Sequence, residues 1–337
     1  MMVQRQTIVG LFHHMIETRL LRIRPPGAGS VPLGITEKRP RTLDERLPPA
    51  LLVHGATLGH ALFDLPQTGY SLMAEMAVRG RAVYALDIRG YGNSLGGAVM
   101  EEPSDRNAPF AGVDAAVDDI GAAVDFVLER QGVAALDLVG FSWGTITAAR
   151  YAGAHPQKIA RLALYAPLYS ETNVAWLERI SDPGDRLRLK PAFGAYRLIT
   201  LADLIGRWNA ELPTGDPELY REAGIPELVF EAFAALDPLA NSRSPPGFRC
   251  PNGALADLIR VFSGQPIYDP AQLTMPTLLL RGADDVTSTD SDCRRLLARV
   301  ASPAKDYSVI TPGSHFLCIE RNRTKLYDQL NQFLGPQ

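Results

Sequence analysis

The stretch LVGFSWGT (138–145) sets Ser142 between two large aromatics, with a glycine two residues away on either side. Just upstream, ALDLVG (135–140) is a continuous apolar run that stops at glycine, the pattern of a strand buried on both faces. Downstream, TITAARYAGAH (145–155) has helical composition. Gly140 to Gly144 therefore fits G-x-S-x-G at a strand-to-helix junction, the context that makes this pattern a nucleophile turn. The glycines supply the low bulk a sharp turn needs. A following helix N-terminus favours developing negative charge beside the hydroxyl. The competing interpretation is a polar residue at a glycine-rich bend, and the rest of the chain has to decide.

Working outward, RLLRIR (19–24) and PLGITEKR (32–39) read as short strands flanking a Pro/Gly turn. ALLVHG (50–55) and RAVYALDIRGYGNS (81–94) each contain a buried strand running into glycine. YSLMAEMAVRG (70–80) and DAAVDDIGAAVDFVLERQG (114–132) read as helices, the second capped by Asp114 at its start and Gly132 at its end. IARLALYAP (159–167) is a further strand. Alternating strand and helix predicts a mostly parallel sheet with helices on both faces, an α/β architecture.

The alternation stops between about 168 and 269. That segment reads as mostly helical, with helices expected at 195–212, 225–236 and 253–264. PTLLLRG (276–282), CRRLLARVA (293–301), KDYSVIT (305–311) and TKLYDQLNQFL (324–334) then restore strand, helix, strand, helix. The expected organisation is a core of residues 1–167 and 270–337 with a helical cap inserted at 168–269.

Composition bounds the partners. The 337 residues are 46% hydrophobic and 21% charged, ample for a large core. The net charge of −3 and pI near 6.1 argue against nucleic acid or an anionic membrane as the main partner. Cys250, Cys293 and Cys318 have neither disulfide nor metal spacing. The first twenty residues, interrupted by His13 and His14, lack a signal-peptide pattern, and no apolar run reaches the roughly 18 residues a membrane span needs. A cytoplasmic protein without an integral membrane segment is expected; oligomeric state is not readable.

A serine hydroxyl needs a base. His315, in TPGSHFLCIE, follows the last strand and precedes the last helix, which puts it at the same carboxyl edge as Ser142. His60 is the rival, since its loop reaches that edge too. His54 ends a strand beside Gly55 and reads as a loop-shaping residue. His155 lies at the far end of a helix. The base in turn needs an acid to hold its tautomer, and RGADDV offers Asp284 and Asp285. The chain order is Ser, Asp, His.

With these residues in place the chain resembles the α/β-hydrolase-fold serine hydrolases. LLVHG resembles the strand that supplies the family's oxyanion loop, and ALDIRGYGNS its D-x-R-G-x-G-x-S segment. AHPQKIARLALYAP resembles the stretch after the nucleophile helix, PTLLLRGADD the acid strand and PGSHF the histidine loop. There is no His-Gly-Gly-Gly loop and no aspartate nucleophile. The resemblance implies Ser142, His315 and Asp285 as catalytic residues, because the family's acid falls three residues after the glycine of its loop. It implies the backbone N–H groups of Ala56 and Trp143 as the oxyanion hole. It also implies that Asp87, Arg89, Gly90 and Gly92 shape a turn.

The resulting expectation is cleavage of an ester, lactone or thioester of a small acyl or aryl substrate through an acyl-enzyme, with no cofactor and no metal. A C–C bond hydrolase or acyltransferase on the same residues is the alternative, and a non-catalytic ligand-binding member of the fold a more distant one. Thr57, His60, Trp176, Tyr196, Trp208 and Phe230 are expected at the substrate pocket. The cap aromatics also suit a cap core, and Asn252 is expected to cap the helix after it.

Overall fold

The computed structural model describes residues 16–25, 31–213 and 215–336. The N-terminal stretch up to Met15, with His13 and His14, and most of the turn after the first strand lie outside the described residues. Among the described residues, eight strands form one sheet: β1 (Ile16–Ile23), β2 (Leu33–Pro40), β3 (Ala50–Val53), β4 (Val83–Leu86), β5 (Leu136–Phe141), β6 (Ile159–Tyr165), β11 (Thr277–Gly282) and β12 (Lys305–Ile310). Their spatial order is β1-β2-β4-β3-β5-β6-β11-β12. The β1–β2 and β2–β4 pairs are antiparallel and the five pairs from β4 to β12 parallel.

Every residue of β3, β4 and β5 is buried, which is why these strands read as unbroken apolar runs. Helices α1 (Leu72–Ala77), α3 (Val113–Gln131), α4 (Trp143–Ala154), α9 (Asp290–Arg299) and α10 (Arg323–Phe333) connect the strands, with a single turn, α2 (Ala98–Glu101), before α3. In α3, Val113, Ala116, Ile120, Ala123, Val124 and Val127 are buried, one apolar stripe at helical spacing. Gly132 closes it in the left-handed region at φ 65°. Asp114 does not cap it. Gly112 holds that position, and Asp114 lies inside the first turn with its carboxylate 2.6 Å from Arg150.

One polar cluster ties down the end of the sheet opposite the site. Asp137, at the start of β5, is buried against Arg81 and Arg161. Arg161 donates at 2.9 and 2.8 Å to its two oxygens and at 2.6 Å to the Gly335 carbonyl. The chain's last helix is thereby fastened to the sheet's amino edge.

Between β6 and β11 the chain leaves the sheet. Here lie α5 (Val174–Ile180), α6 (Leu201–Asn209), α7 (Ile225–Ala234) and α8 (Gly253–Phe262). There are also two small antiparallel pairs: β7 (Ser181–Asp182) with β8 (Asp185–Leu189), and β9 (Tyr196–Ile199) with β10 (Phe248–Pro251). The segment is thus less helical than its sequence suggests. The expected helix at 195–212 is a strand followed by a helix, because Thr200 and Asp203 form a reciprocal capping box that starts α6 afresh. Buried apolar residues of this segment, Leu177, Trp208, Phe230 and Phe233 among them, join the same continuous core as the sheet.

Candidate active site

The carboxyl ends of β3, β5, β11 and β12 converge on one place. β5 ends at Phe141 and α4 begins at Trp143, so Ser142 alone makes the turn, at φ 55° and ψ −122°. Positive φ is costly for a side chain other than glycine and persists only where neighbours over-determine it. The flanking glycines supply that determination. A Cβ on Gly140 would sit 2.5 Å from the Gly144 carbonyl oxygen, and one on Gly144 would sit 2.4 Å from the His54 carbonyl oxygen. The Ser142 N–H donates to the Tyr165 carbonyl of β6 at 3.0 Å.

His315 lies in the loop after β12, and its Nε2 is 2.9 Å from Ser142 Oγ. Its Nδ1 is 2.9 Å from Asp285 Oδ2 in the loop after β11. A carboxylate only accepts, so Nδ1 carries the proton and Nε2 accepts from the serine hydroxyl. The other Asp285 oxygen accepts from the Thr287 and Ser288 N–H groups at 2.9 and 2.7 Å. Arg281 braces this turn, donating at 2.7 Å to both the Asp285 and Ser288 carbonyls. Tyr165 donates its hydroxyl to the His315 carbonyl at 2.9 Å and accepts from the Cys318 N–H at 3.1 Å, fixing the histidine loop. All three relay side chains are buried. Asp284 points elsewhere, accepting from the Tyr220 hydroxyl at 2.9 Å and the Gly313 N–H at 3.2 Å.

Trp143 is the first residue of α4, so its N–H has no partner in the helix ladder. Its indole is fully buried and donates to Asp257 of α8 at 2.9 Å. Burial pushes the Asp257 carboxyl up to about 7, against the opposing pull of the indole bond and a bond from the Val113 N–H. His54 bridges the opposite side. Its Nε2 accepts from the Ile88 N–H at 3.1 Å, so its Nδ1 is the donor to the Gly55 carbonyl at 2.8 Å. That carbonyl belongs to the peptide whose N–H is that of Ala56. Burial holds His54 below the ordinary imidazole range, consistent with a neutral ring. The Ala56 carbonyl accepts from the Tyr91 hydroxyl at 3.0 Å, from Arg197 at 3.2 Å and from the Cys250 thiol at 3.2 Å.

A cavity of about 370 Å³ opens onto Ser142 and His315. Ala56, Thr57, Phe141 and Thr287 line its floor side, and Trp176, Arg179, Phe193, Arg197, Leu204 and Arg207 come from the 168–269 segment. Of the residues expected at a pocket, Thr57 and Trp176 line this one. The other four do not. Trp208 is wholly buried, its indole donating to Glu320 at 2.9 Å with the ring 5.2 Å from that of Phe316. Phe230 packs 6.0 Å from Phe248 in the core. Tyr196 turns outward to donate to the Glu102 carbonyl at 3.0 Å.

His60 pairs with buried Asp87. Its N–H donates to the carboxylate at 2.8 Å, and its Nδ1 lies 2.6 Å from Asp87 Oδ2, a close charge contact outside hydrogen-bond geometry. Burial pushes His60 down, but Asp87 outweighs it and draws the imidazole above its ordinary range. Asp87 also accepts from the Asn93 N–H at 2.8 Å. A Cβ on Gly92 would come within 2.5 Å of its carboxylate, so this segment shapes a turn. Asn252 precedes α8 without capping it. Its side chain instead donates to the Phe193 carbonyl at 2.6 Å and accepts from Arg197 at 2.9 Å.

Sequence reading missed the network that joins the cavity wall to the loop of Asp285. Glu211, after α6, is buried, and its carboxylate accepts from the Thr287 hydroxyl at 2.6 Å and pairs with Arg207. Thr287 accepts in turn from the Trp176 indole at 2.9 Å and Arg207 at 3.0 Å. Burial pushes Glu211 up, but Arg207, His315 and the Thr287 bond together hold it below the ordinary carboxylate range. The i,i+4 spacing of Arg207 and Glu211 was the one available signal. Among the described residues, no group of three or more His, Cys, Asp or Glu side chains could hold a metal ion. No described helix is long and apolar enough to cross a membrane.

The fold has many solved relatives. A bromoperoxidase from Bacillus anthracis aligns with a TM-score of 0.63 at 19% identity, over 94% of this chain and 99% of its own. An esterase from Exiguobacterium antarcticum aligns at 0.60 and 15%, over 93% and 98%. The 2-hydroxy-6-oxo-6-phenylhexa-2,4-dienoate hydrolase of Rhodococcus sp. strain RHA1 aligns at 0.60 and 18%, over 94% and 99%. At such identities the likeness is one of fold. No curated protein matches the sequence. The family model for the alpha/beta hydrolase fold matches residues 48–322. Sheet order, elbow and family match agree, and the chain belongs to the α/β-hydrolase fold family.

Proposed function

We propose that this protein is a serine hydrolase that cleaves an ester, lactone or thioester through an acyl-enzyme. The observation that carries the proposal is the 2.9 Å, 2.9 Å relay from Ser142 through His315 to Asp285 on a strained strand-to-helix turn. Ser142 Oγ attacks the carbonyl carbon as His315 Nε2 takes its proton, and Asp285 stabilises the imidazolium. The collapsing intermediate expels the alcohol or thiol, which receives that proton from His315. Water, deprotonated by the same nitrogen, then adds to the acyl carbon; the carboxylic acid leaves and the proton returns to Ser142.

The N–H groups of Trp143 and Ala56 hold the oxyanion, each worth about 3 kcal/mol in a dry site. Two features support this assignment: Trp143 heads α4, and His54 anchors the peptide plane carrying the Ala56 N–H. Residues 168–269 form the cap over a core of 1–167 and 270–337, supported by the residues this segment lends to the cavity wall, Trp176, Arg179 and Leu204 among them. Three unpaired buried thiols support a cytoplasmic location. Turnover of p-nitrophenyl esters that vanishes in Ser142→Ala, with the circular dichroism spectrum unchanged, is the expected result. Equal turnover by the variant contradicts it.

A further inference from the structure

The cavity wall carries more positive charge than its own carboxylates answer. Arg179, Arg197 and Arg207 line it, with Asp203 as the only acidic lining residue among the described residues. Asp203 is engaged at the start of α6, where one of its oxygens accepts both the N–H and the hydroxyl of Thr200, at 3.0 and 2.6 Å. Arg207 is matched by Glu211. Arg197 and Arg179 have no ion-pair partner among the described residues.

Arg197 donates four hydrogen bonds, all to neutral oxygens: the Ala56 and Pro251 carbonyls, Thr57 Oγ1 and Asn252 Oδ1. Its guanidinium is half-buried, held rigidly beside the oxyanion loop, and has no carboxylate partner among the described residues. The Arg179 guanidinium makes no hydrogen bond or ion pair with any described residue. It lies 5.1 Å from the centre of the Trp176 ring, a ring that also carries Arg207 at 4.8 Å. Partial burial lowers Arg179 from the ordinary guanidinium range and the positive charge of Arg207 acts in the same direction, while Glu211, beyond ion-pair distance, pulls the other way. Fixed positive charge in a walled cleft attracts an anion, and a guanidinium with all its donors unused suits a carboxylate. The rest of the wall, with Ile180, Phe193 and Leu204, is apolar.

We propose that the substrate is an acyl compound carrying a free carboxylate beyond an apolar spacer, with Arg179 as the carboxylate anchor and Arg197 supplying a fixed positive field. The proposal rests on the serine-hydrolase reading, since it orients the scissile carbonyl at Ser142. It also makes a separate claim about the wall. Attack at Ser142 then leaves the substrate's charged end paired at the cavity mouth, where Arg179 is exposed.

The test uses mono-p-nitrophenyl esters of succinic, glutaric, adipic and suberic acids, each against its neutral methyl ester, with the full-length protein and Arg179→Gln. At least one half-ester is expected to exceed its neutral counterpart in kcat/KM by about tenfold or more at low salt. The ratio should fall several-fold in Arg179→Gln and with added salt, mainly through KM. If neutral esters are preferred throughout the series, or the ratio is the same in Arg179→Gln, the proposal is overturned while ester hydrolysis stands. If no ester turns over, calorimetry of Ser142→Ala with the monomethyl and dimethyl esters of the same acids decides it. Anion-selective binding lost on changing Arg179 supports the anchor, and equal binding of both ester classes overturns it. Fluorophosphonate labelling of Ser142 in the unaltered protein separately decides whether the hydrolase reading holds.

Discussion

The floor of the site and its wall are built on different principles. On the floor, backbone geometry does the positioning. Ser142 is pinned between glycines that accept no Cβ, and His315 and Asp285 hang from the ends of parallel strands. On the wall, side chains do it: Trp176, Arg207 and Glu211 hold one another and reach the floor at Thr287, in the loop of Asp285. A floor made this way serves one chemistry and tolerates little change. A wall made this way can be altered one residue at a time, so substrate choice can vary while the chemistry stays.

If that contrast is right, floor substitutions act on kcat and on folding, and wall substitutions act on KM. The largest effect after loss of the serine is expected for Asp285→Asn, about 10³- to 10⁴-fold in kcat. Asp284→Asn should cost less than about tenfold, because among the described residues the Asp284 carboxylate accepts only from Tyr220 and Gly313. Steady-state kinetics on one ester checks both, and a reversed order would reassign the acid. Gly144→Ala comes next. Its Cβ meets the His54 and Val53 carbonyl oxygens at 2.4 and 2.5 Å, so about 2 kcal/mol or more of stability is lost, visible as a lower urea midpoint.

On the wall, Glu211→Gln should lower kcat/KM by about tenfold, since it strips Arg207 of its partner and loosens the Thr287 contact while leaving Ser142 and His315 in place. A loss as large as that of Asp285→Asn would erase the distinction between floor and wall.

The smallest effect concerns Asp257, where the two regions meet beneath the Trp143 indole. Its folded-state carboxyl sits at about 7, above the unfolded value of about 4. Between those values the folded chain holds a proton the unfolded chain has released. This residue's contribution to stability therefore falls as pH rises through that window and is flat above it. Asp257→Asn should lessen the fall in melting temperature from pH 4.5 to 7.5. An unchanged slope would show that Asp257 titrates as it does when unfolded.

How much of this was legible follows the same division. That Ser142, His315 and Asp285 meet at one sheet edge was readable because strand ends and glycine turns leave local signals and the order Ser, Asp, His follows the strands. The wall left almost none. Trp208, Phe230 and Trp176 look alike in sequence, yet only Trp176 faces the cavity, since orientation there depends on packing between distant segments. The apolar neighbours of Tyr196 fit a helical period, while the T-x-x-D box at Thr200 marks the true start four residues later. Arg197 carried no signal at all. Its partners Ala56, Thr57, Pro251 and Asn252 come from two other parts of the chain.

The central claim is that Ser142 is the nucleophile, and the most direct test is covalent. The full-length protein is treated with a fluorophosphonate at neutral pH, and intact mass and peptide mapping locate the adduct. One adduct per chain on Ser142, abolished in Ser142→Ala and slowed strongly in His315→Ala, is the predicted result. Folded protein that takes up no label, or carries it at another residue, would contradict the account.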